Sequence, residues 1–470
     1  MDETPRVLGE AQRVPPPDDD LLALLDPWMR ARRWYPVKGV DVAHVPWISF
    51  ALPAPAPLRI ELHLLRLVGD GVELVVQVPL ILAPAGTAPD AADDPRVVGH
   101  LETPDGPVTV HDGATHPALW TAVLAASQWE DGAGGPEPDP DLTGGRALTV
   151  EQSNSSVLLP AVAGGTMLKV VRAVAIGPNP DVTIPRALAA HGWRGVPRPL
   201  AWLTATWAES DVPAEHDSVT GLGPDRTAHL AVLTEFVAGG RDGFDLACSY
   251  ARQDQSFTEL SADLGRVVAD MHAALAGAFE PGPLLDAGWL VDDLRRRAAE
   301  AVAKAPVLSR RAAEIVGFLD AAEGRLARID APIRMQHVHG DLHLGQVLHS
   351  RDHGWKVLDF EGEPLRPVAE RTRADLALRD VAGMVRSFDY AAAVGRPGDP
   401  TWDVRARDAF LEAYRVATGA SDAEAEAAQT IVRILALDKA LYEVVYESRN
   451  RPDWTWIPLD AVDRILSGRT

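Results

Sequence analysis

With one cysteine in 470 residues, Cys248, the chain can form no internal disulfide and no thiolate metal cluster. Long apolar runs are also missing. The most apolar stretch, Val72–Leu82, is short and carries Glu73 and Gln77, whereas a membrane span needs roughly 20 apolar residues. Positive charge is scarce: 45 Lys and Arg stand against 67 Asp and Glu, a formal net charge of −22. No basic surface dominates, which argues against nucleic acid and anionic membranes as partners, while a local basic pocket for an anionic substrate stays compatible. No Gly-x-x-x-x-Gly-Lys-Ser/Thr occurs, which argues against a P-loop nucleotide site. The acidic start, Met1-Asp-Glu-Thr-Pro, lacks the apolar core of a secretory leader, so a cytoplasmic protein is expected. Lysine is rare: Lys38, Lys169, Lys304, Lys356 and Lys439 are the five among 45 basic residues. A lysine kept inside an apolar strand in such a chain invites a reason.

What is present divides the chain by character. Residues 21–35 read as a short helix ending in Arg32-Arg-Trp34-Tyr35. Leu58–Leu65 alternates with period two and Val72–Leu82 continues it, which predicts a β-rich unit over 1–95. Residues 96–146 form an intermediate unit with short strands and a helix over Ala118–Ser127. From Ala147 a second β unit is expected to run to about 238, with strands at Leu148–Glu151, Val157–Leu159, Thr166–Arg172, Leu200–Thr204 and His229–Phe236, and a helix at 183–191. After Gly239-Gly240 helical spacing takes over, in Thr258–Ala276, Asp292–Lys304, Ser309–Ile329, Leu376–Val394, Trp402–Thr418 and Ala423–Arg449. A length of 470 suits two or three lobes rather than one core.

The chemistry concentrates in His337-Val-His-Gly-Asp341-Leu-His343-Leu-Gly-Gln346 and Val357-Leu-Asp359-Phe-Glu-Gly-Glu-Pro364. Two carboxylates and an amide stand in 19 residues, one Asp after an apolar strand and one at the end of another. Phosphoryl transfer needs an Asp to accept the proton of the attacking hydroxyl, and an amide with a second Asp to hold Mg²⁺ on the nucleotide phosphates. Mg²⁺ takes hard oxygen donors and keeps several waters, so few protein ligands suffice. The histidines suggest a competing two-metal hydrolase pattern, His-x-His-x-Asp-His. Here Leu342 follows Asp341 and His343 comes one place late, which argues against that reading and favours His339 as a brace for the loop.

Lys169, in Met167-Leu-Lys-Val-Val, would set an ammonium against phosphates, where the bland reading is a lysine snorkelling to water. The polar turn Gln152-Ser153-Asn154-Ser155-Ser156 could cradle phosphates or simply turn a hairpin. Glu235 to Val237 ends a strand at the change of composition. On the last long helix Lys439, Tyr442, Glu443, Tyr446 and Arg449 fall three and four apart and share a face, as rings and polar groups for a sugar would, or as a solvated helix face would.

His339-Gly-Asp341-x₄-Gln346 with Asp359-Phe-Glu-Gly-Glu resembles the phosphotransfer motif of the aminoglycoside phosphotransferase and choline kinase group, similar in fold to protein kinases. Arg33-Trp-Tyr, Gln152-Ser-Asn-Ser-Ser, Gly177-Pro-Asn-Pro-Asp181, Met271-His272-Ala-Ala-Leu and Glu447-Ser-Arg-Asn-Arg-Pro-Asp-Trp454 resemble the maltokinase family over nearly the whole chain. The resemblance implies an α+β, bilobal protein-kinase-like fold: a β-rich N-terminal cap (1–95), an intermediate subdomain (96–146), a mixed N-lobe (147–238) and a mainly helical C-lobe (239–470). It implies ATP and Mg²⁺, with Asp341 as base, Gln346 and Asp359 as metal ligands, Lys169 and Ser153 to Ser156 at the phosphates, and Glu235 to Val237 as hinge. Maltose is the implied acceptor, facing Asp341, His343 and the helix set from Lys439 to Arg449. Trehalose synthase is a candidate partner. Glucosamine kinases are a related group carrying Asp-Phe-Asp-Gly-Asn-Pro where this chain has Asp-Phe-Glu-Gly-Glu-Pro, which favours maltose. A non-catalytic kinase-like module is the alternative, and the joint presence of Lys169, Asp341, Gln346 and Asp359 argues against it. Thr183 stands where a carboxylate partner for Lys169 is expected, leaving Glu209 and Asp181 as candidates.

Overall fold

The computed structural model describes residues 7–37, 40–69, 72–86, 94–135, 139–148, 154–208, 211, 226–329, 332–362 and 373–468. The chain forms two compact units, Met1–Arg186 with Pro197–Phe236, and Ala187–Val196 with Val237–Thr470. In order, the elements up to Phe236 are β1 (Val7–Leu8), α1 (Asp19–Arg30), β2 (Val42–Leu52), β3 (Arg59–Gly69), β4 (Val72–Pro84), β5 (Val97–Thr103), β6 (Gly106–Asp112), α2 (Pro117–Ala126), β7 (Gln128–Trp129), β8 (Arg146–Ala147), β9 (Ser155–Leu159), β10 (Thr166–Val170), β11 (Ala173–Val174), α3 (Pro180–Ala190), β12 (Pro199–Thr206) and β13 (Thr227–Glu235).

The first unit is built on two sheets. One runs β2-β3-β4-β6-β5, with β11 added beside β4; the other runs β1-β12-β13-β10-β9-β8, with β7 also on β12. The strands β5 and β6 therefore lie in the same sheet as β2 to β4. Strand β4 is covered on both faces. Val76, Val78, Leu80 and Leu82 pack with Leu21, Leu25, Trp28, Trp34 and Tyr35, while Val75 and Ile81 join the core shared with the second sheet. Double coverage explains why this segment reads as a nearly unbroken apolar run. Strand β2, which the sequence reading left unassigned, is the edge partner of β3 over ten paired positions, with an irregularity between Pro46 and Ile48. The predicted strand over 148–151 falls largely on residues outside those described; β8 ends at Ala147.

Two buried polar side chains tie the sheets together. Gln77 on β4 donates from Nε2 to the carbonyls of Val171 and Leu230, at 2.9 and 3.1 Å. Arg172, where the chain leaves β10 for β11, is fully buried. Its Nη2 forks onto Asp112 at 2.8 and 3.0 Å, its Nε reaches Ser155 Oγ at 2.9 Å, and its guanidinium lies 4.5 Å from the Trp34 ring centroid.

The second unit is mainly helical: β14 (Arg241–Asp242), α4 (Gly243–Arg252), α5 (Thr258–Ala278), α6 (Ala287–Lys304), α7 (Ala312–Leu326), β15 (Val347–Ser350), β16 (Gly354–Val357), α8 (Ala377–Gly395), α9 (Trp402–Thr418), α10 (Asp422–Asn450) and α11 (Trp456–Leu466). A small antiparallel sheet, β14-β15-β16, carries the segment between Gln346 and Asp359. Helix α10 starts at a capping box, in which the Ser421 N–H donates to Glu424 Oε2 at 2.8 Å. Helices α4 and α11 lacked a clear signal, being short and broken into by aromatic and polar residues. Among the described residues no helix is long and apolar enough to cross a membrane.

Removing Arg172 strands the Asp112 carboxylate in the interior. Arg172→Ala is expected to lower unfolding free energy by about 3–5 kcal/mol in urea denaturation, and Arg172→Lys to recover little, because one ammonium cannot reach Asp112 and Ser155 together as Nη2 and Nε do. A second expectation concerns pH. Burial, aided by Arg186, pushes His229 down to about 4 from its usual 6.5. Burial also pushes His116 down to about 4, with Arg96 and His111 adding and Asp94 opposing. The unfolded chain then binds more protons between those values, so this stability is complete above about 6.5 and lost as pH falls towards about 4. Moving from pH 7 to pH 5 should remove about 1–2 kcal/mol through His229, with a smaller share from the more open His116. His229→Gln should flatten the dependence; an unchanged slope would refute its source.

Candidate active site

The loop 337–346 is held from beneath by one carboxylate. Asp380, in the first turn of α8 and 1% exposed, accepts the backbone N–H of His339 at 2.8 Å and of Gly340 at 2.9 Å. His272 Nε2, from α5, approaches the same carboxylate at 3.1 Å, and its Nδ1 meets the Tyr414 hydroxyl at 2.9 Å. Burial alone would raise the Asp380 pKa, but His272 and then His339, through its ring and its N–H, reverse this and hold it below the usual carboxylate value. Asp380 was missed from sequence; its signal is only an Asp one turn into a helix that follows the motif.

The loop also needs room. A Cβ on Gly383 would stand 2.4 Å from the Leu342 carbonyl, so α8 accepts the loop only with glycine there. Gly340 has φ of +87°, a conformation glycine adopts without strain. The His339 ring, buried, meets the Leu358 carbonyl through Nε2 at 2.7 Å and packs 4.8 Å from the Phe360 ring. It braces the loop, as its sequence context suggested. His343 accepts the Gly345 N–H on Nδ1 at 3.0 Å and so caps the short turn Leu344–Gln346; burial keeps its imidazole below the usual pKa against the pull of Asp341.

Asp341 then faces a small polar cavity shared with Arg297, Arg379, Asp438, Lys439 and Tyr442. Lys439 Nζ donates to Asp341 Oδ1 at 3.1 Å and lies 5.4 Å from the Tyr442 ring centroid. The predicted helix face thus divides. Lys439 and Tyr442 reach the cavity of Asp341. Glu443 instead receives Arg386 Nη2 at 2.7 Å and Nε at 3.0 Å. Tyr446 stacks 6.4 Å from Tyr442 and is 43% exposed, and Arg449 is exposed. Three polar contributors to the cavity, Arg297, Arg379 and Asp438, escaped sequence reading. Asp438 takes Arg297 at 2.8 Å and Arg379 at 3.7 Å, so it reads as an ordinary ion-pairing residue until α6, α8 and α10 are assembled.

Gln346 and Asp359 come together: Gln346 Nε2 donates to Asp359 Oδ2 at 3.1 Å. Asp359 has φ of +60°, a left-handed conformation rare outside glycine. Glu361 sets a carboxylate oxygen within 4.8 Å of one on Asp359. The donors are hard oxygens, of the kind Mg²⁺ takes, and the amide carbonyl would join them once the amide turns over.

In the first unit Lys169 on β10 donates from Nζ to Asp181 Oδ2 at 2.5 Å. Asp181 opens α3, where Asn179 Oδ1 accepts its N–H at 2.9 Å. Of the two carboxylates left open for Lys169, Asp181 is the one found beside it; Glu209 lies outside the described residues. So do Gln152 and Ser153. Asn154 is buried and accepts the Arg172 N–H at 2.9 Å, Ser155 takes the Arg172 side chain, and Ser156 sits opposite Lys169 in the ladder. Glu235 ends β13 with Oε2 accepting the Arg198 N–H at 3.2 Å, and Val237 is buried at the start of the next unit.

Asp380→Asn keeps the shape and replaces one acceptor oxygen by a donor. A backbone N–H left without its partner costs about 1–3 kcal/mol. Exchange of the His339 and Gly340 amides with deuterium should accelerate in this variant well beyond exchange in α5. Equal protection in both proteins would show that the loop does not hang on Asp380.

Residues 28–115 match the family model described as the maltokinase N-terminal cap domain. The chain is 31% identical over 345 residues to a glucosamine kinase of Streptacidiphilus jiangxiensis, covering 67% of this chain and 72% of that one. It is 30% identical over 349 residues to a glucosamine kinase of Mycolicibacterium smegmatis, covering 70% and 81%. In fold it is similar to a solved glucosamine kinase at TM-score 0.62 and 21% identity, spanning 96% of this chain and 98% of the other. A second crystal form of a glucosamine kinase gives TM-score 0.61 at 23% identity over 88% and 95%. Helical and mixed-sheet units of this kind, a Gly-Asp341 loop braced by a buried carboxylate, and relatives that cover more than two thirds of their own length agree, and the chain belongs to the family of sugar kinases of protein-kinase-like fold that carries the maltokinase-type N-terminal cap.

Proposed function

We propose that this protein transfers the γ-phosphoryl group of ATP to the anomeric hydroxyl of maltose, giving maltose 1-phosphate. The observation that carries the reading is the Asp341 carboxylate, held on a braced loop and turned to a polar cavity with Lys439 and Tyr442. A carboxylate there suits acceptance of the proton from an attacking hydroxyl. Lys439 steadies it in that position and offers a positive charge near the developing phosphate. Tyr442 offers a ring for the apolar face of a sugar, and Arg297, Arg379 and Asp438 offer hydrogen bonds to its hydroxyls. Gln346 and Asp359 would hold Mg²⁺, which supplies charge neutralisation of the nucleotide phosphates. Lys169, fixed by Asp181, offers an ammonium for the phosphates.

Maltose is favoured by the cap match and by Asp359-Phe-Glu-Gly-Glu in place of Asp-Phe-Asp-Gly-Asn. Glucosamine is the second reading, supported by the names of the relatives at 30–31% identity. ATP consumption measured with maltose, glucosamine, glucose and trehalose separates them. The expected result is highest kcat/KM with maltose and a phosphorus–proton coupling at its anomeric carbon by NMR. A higher kcat/KM with glucosamine overturns the acceptor and leaves sugar phosphorylation standing. Asp341→Ala should lower kcat at least 100-fold, about 2.7 kcal/mol of barrier, with unfolding free energy nearly unchanged. Retention of more than about a tenth of the wild-type kcat would remove Asp341 from the role of base.

A further inference from the structure

Helices α8 and α10 have a second cavity on their other side. On α8, Ala382 and Gly383 face the cavity of Asp341, while Val381 and Val385 face the second one; on α10, Leu435 and Asp438 divide from Val432 and Ala436 in the same way. The second cavity has a volume of about 650 Å³, is flanked by α9 and α11 through Leu411 and Ile465, and opens to solvent past Glu412 and Glu426. That volume lies in the range of about 300–1,000 Å³ found for small-molecule pockets. Aliphatic side chains share its walls with charged ones of both signs, Asp408, Glu412 and Glu426 among them, and buried polar atoms of its lining residues lack hydrogen-bond partners.

Arg433 is the main one. It lines the cavity, and its Nε is buried without a hydrogen-bond partner. Its Nη2 donates to the Ile465 carbonyl at 3.2 Å and its guanidinium lies 5.3 Å from the Phe318 ring centroid. Among the described residues no carboxylate comes within 4.0 Å of it, although the chain carries a surplus of acid. Burial and the neighbouring Arg325 both disfavour its charge. Arg407, on the same cavity and 11% exposed, has a buried Nη2 without a hydrogen-bond partner, and its nearest carboxylates, Asp389 and Asp408, stay at 3.9 and 3.8 Å. Against these donors stands one orphan acceptor, Asp389 Oδ1. Buried polar groups seldom remain unpaired. Water in the cavity gains little from the aliphatic part of its walls, which hold a dry hydrocarbon better.

We propose that this cavity is a second ligand site, separate from the phosphoryl-transfer site, for a small molecule with an aliphatic body and one carboxylate that meets Arg433. The wall it would press on includes Tyr414, whose hydroxyl reaches His272 and through it Asp380.

The test is isothermal titration of the full chain with octanoate, with 1-octanol and acetate as the body and the head alone. Saturable binding of one octanoate per chain is expected, unaffected by maltose and ATP, with 1-octanol and acetate each at least tenfold weaker. Arg433→Gln should weaken octanoate at least tenfold. Ala428→Trp, at a half-exposed position on the cavity wall, should fill the space and abolish binding while leaving turnover within twofold of wild type. Absence of saturable octanoate binding overturns the proposal, as does equal affinity in wild type and both variants. Equal binding of 1-octanol overturns the carboxylate requirement, and competition by maltose overturns the separation of the sites.

Discussion

The contact on which the candidate site of the helical unit depends is the buried carboxylate of Asp380 under the backbone of His339 and Gly340. A loop that must present Asp341 cannot bury its own N–H groups without an acceptor, and among the described residues no strand pairs with it at His339 or Gly340. Asp380 supplies the acceptor, and His272 with Tyr414 fixes the carboxylate from the other side. The helix that carries Asp380 also carries Gly383, whose missing side chain lets the Leu342 carbonyl settle on it. One turn of α8 thus provides both the charge and the space for the loop. The positions of Asp341, Gln346 and Asp359 follow from that seat and from the short hairpin between β15 and β16.

The first unit meets the same difficulty with a cation. Where the chain passes from one sheet to the other, Arg172 is removed from water and compensated by a bidentate Asp112, by Ser155 and by the face of Trp34. A buried pair of this kind adds little stability over an apolar replacement, but breaking it is costly. Its consequence is register: with Gln77 bonded to carbonyls of β13 and of the segment after β10, the two sheets have one alignment. Asn154 and Ser155 are drawn into this junction, which limits what their side chains are free to do for a phosphate.

Lysine usage gains meaning from the assembled structure. In a chain that uses arginine almost everywhere, Lys169 and Lys439 each place an ammonium beside one carboxylate, Asp181 and Asp341. A guanidinium would fork across both oxygens and fill the space, whereas an ammonium is a compact point charge. That difference suits positions where a charged group must share its partner with a ligand.

Much of this was legible from residue order. The Gly-Asp-x₄-Gln spacing and the Asp-Phe-Glu-Gly that follows are local, so they named Asp341, Gln346 and Asp359 without a fold. The shift from period two to period 3.6 after Gly240 is also local, and it marked the change from sheet to helix that the structure places at Phe236–Val237. Other features needed distance in sequence to collapse into distance in space. Asp380 lies 41 residues from His339, and Lys439 lies 98 from Asp341. Asp181 rather than another acid meets Lys169 because α3 begins where β11 delivers it. Glu443 shares the helical phase of Lys439 and Tyr442, but phase on a helix does not say which neighbour covers which part of the face, and α8 covers Glu443 with Arg386. The sequence by itself pointed to the candidate reacting groups, because their chemistry is written in adjacent residues. The tertiary structure alone decided what holds and faces them, because burial and partnership are properties of packed elements and not of their order.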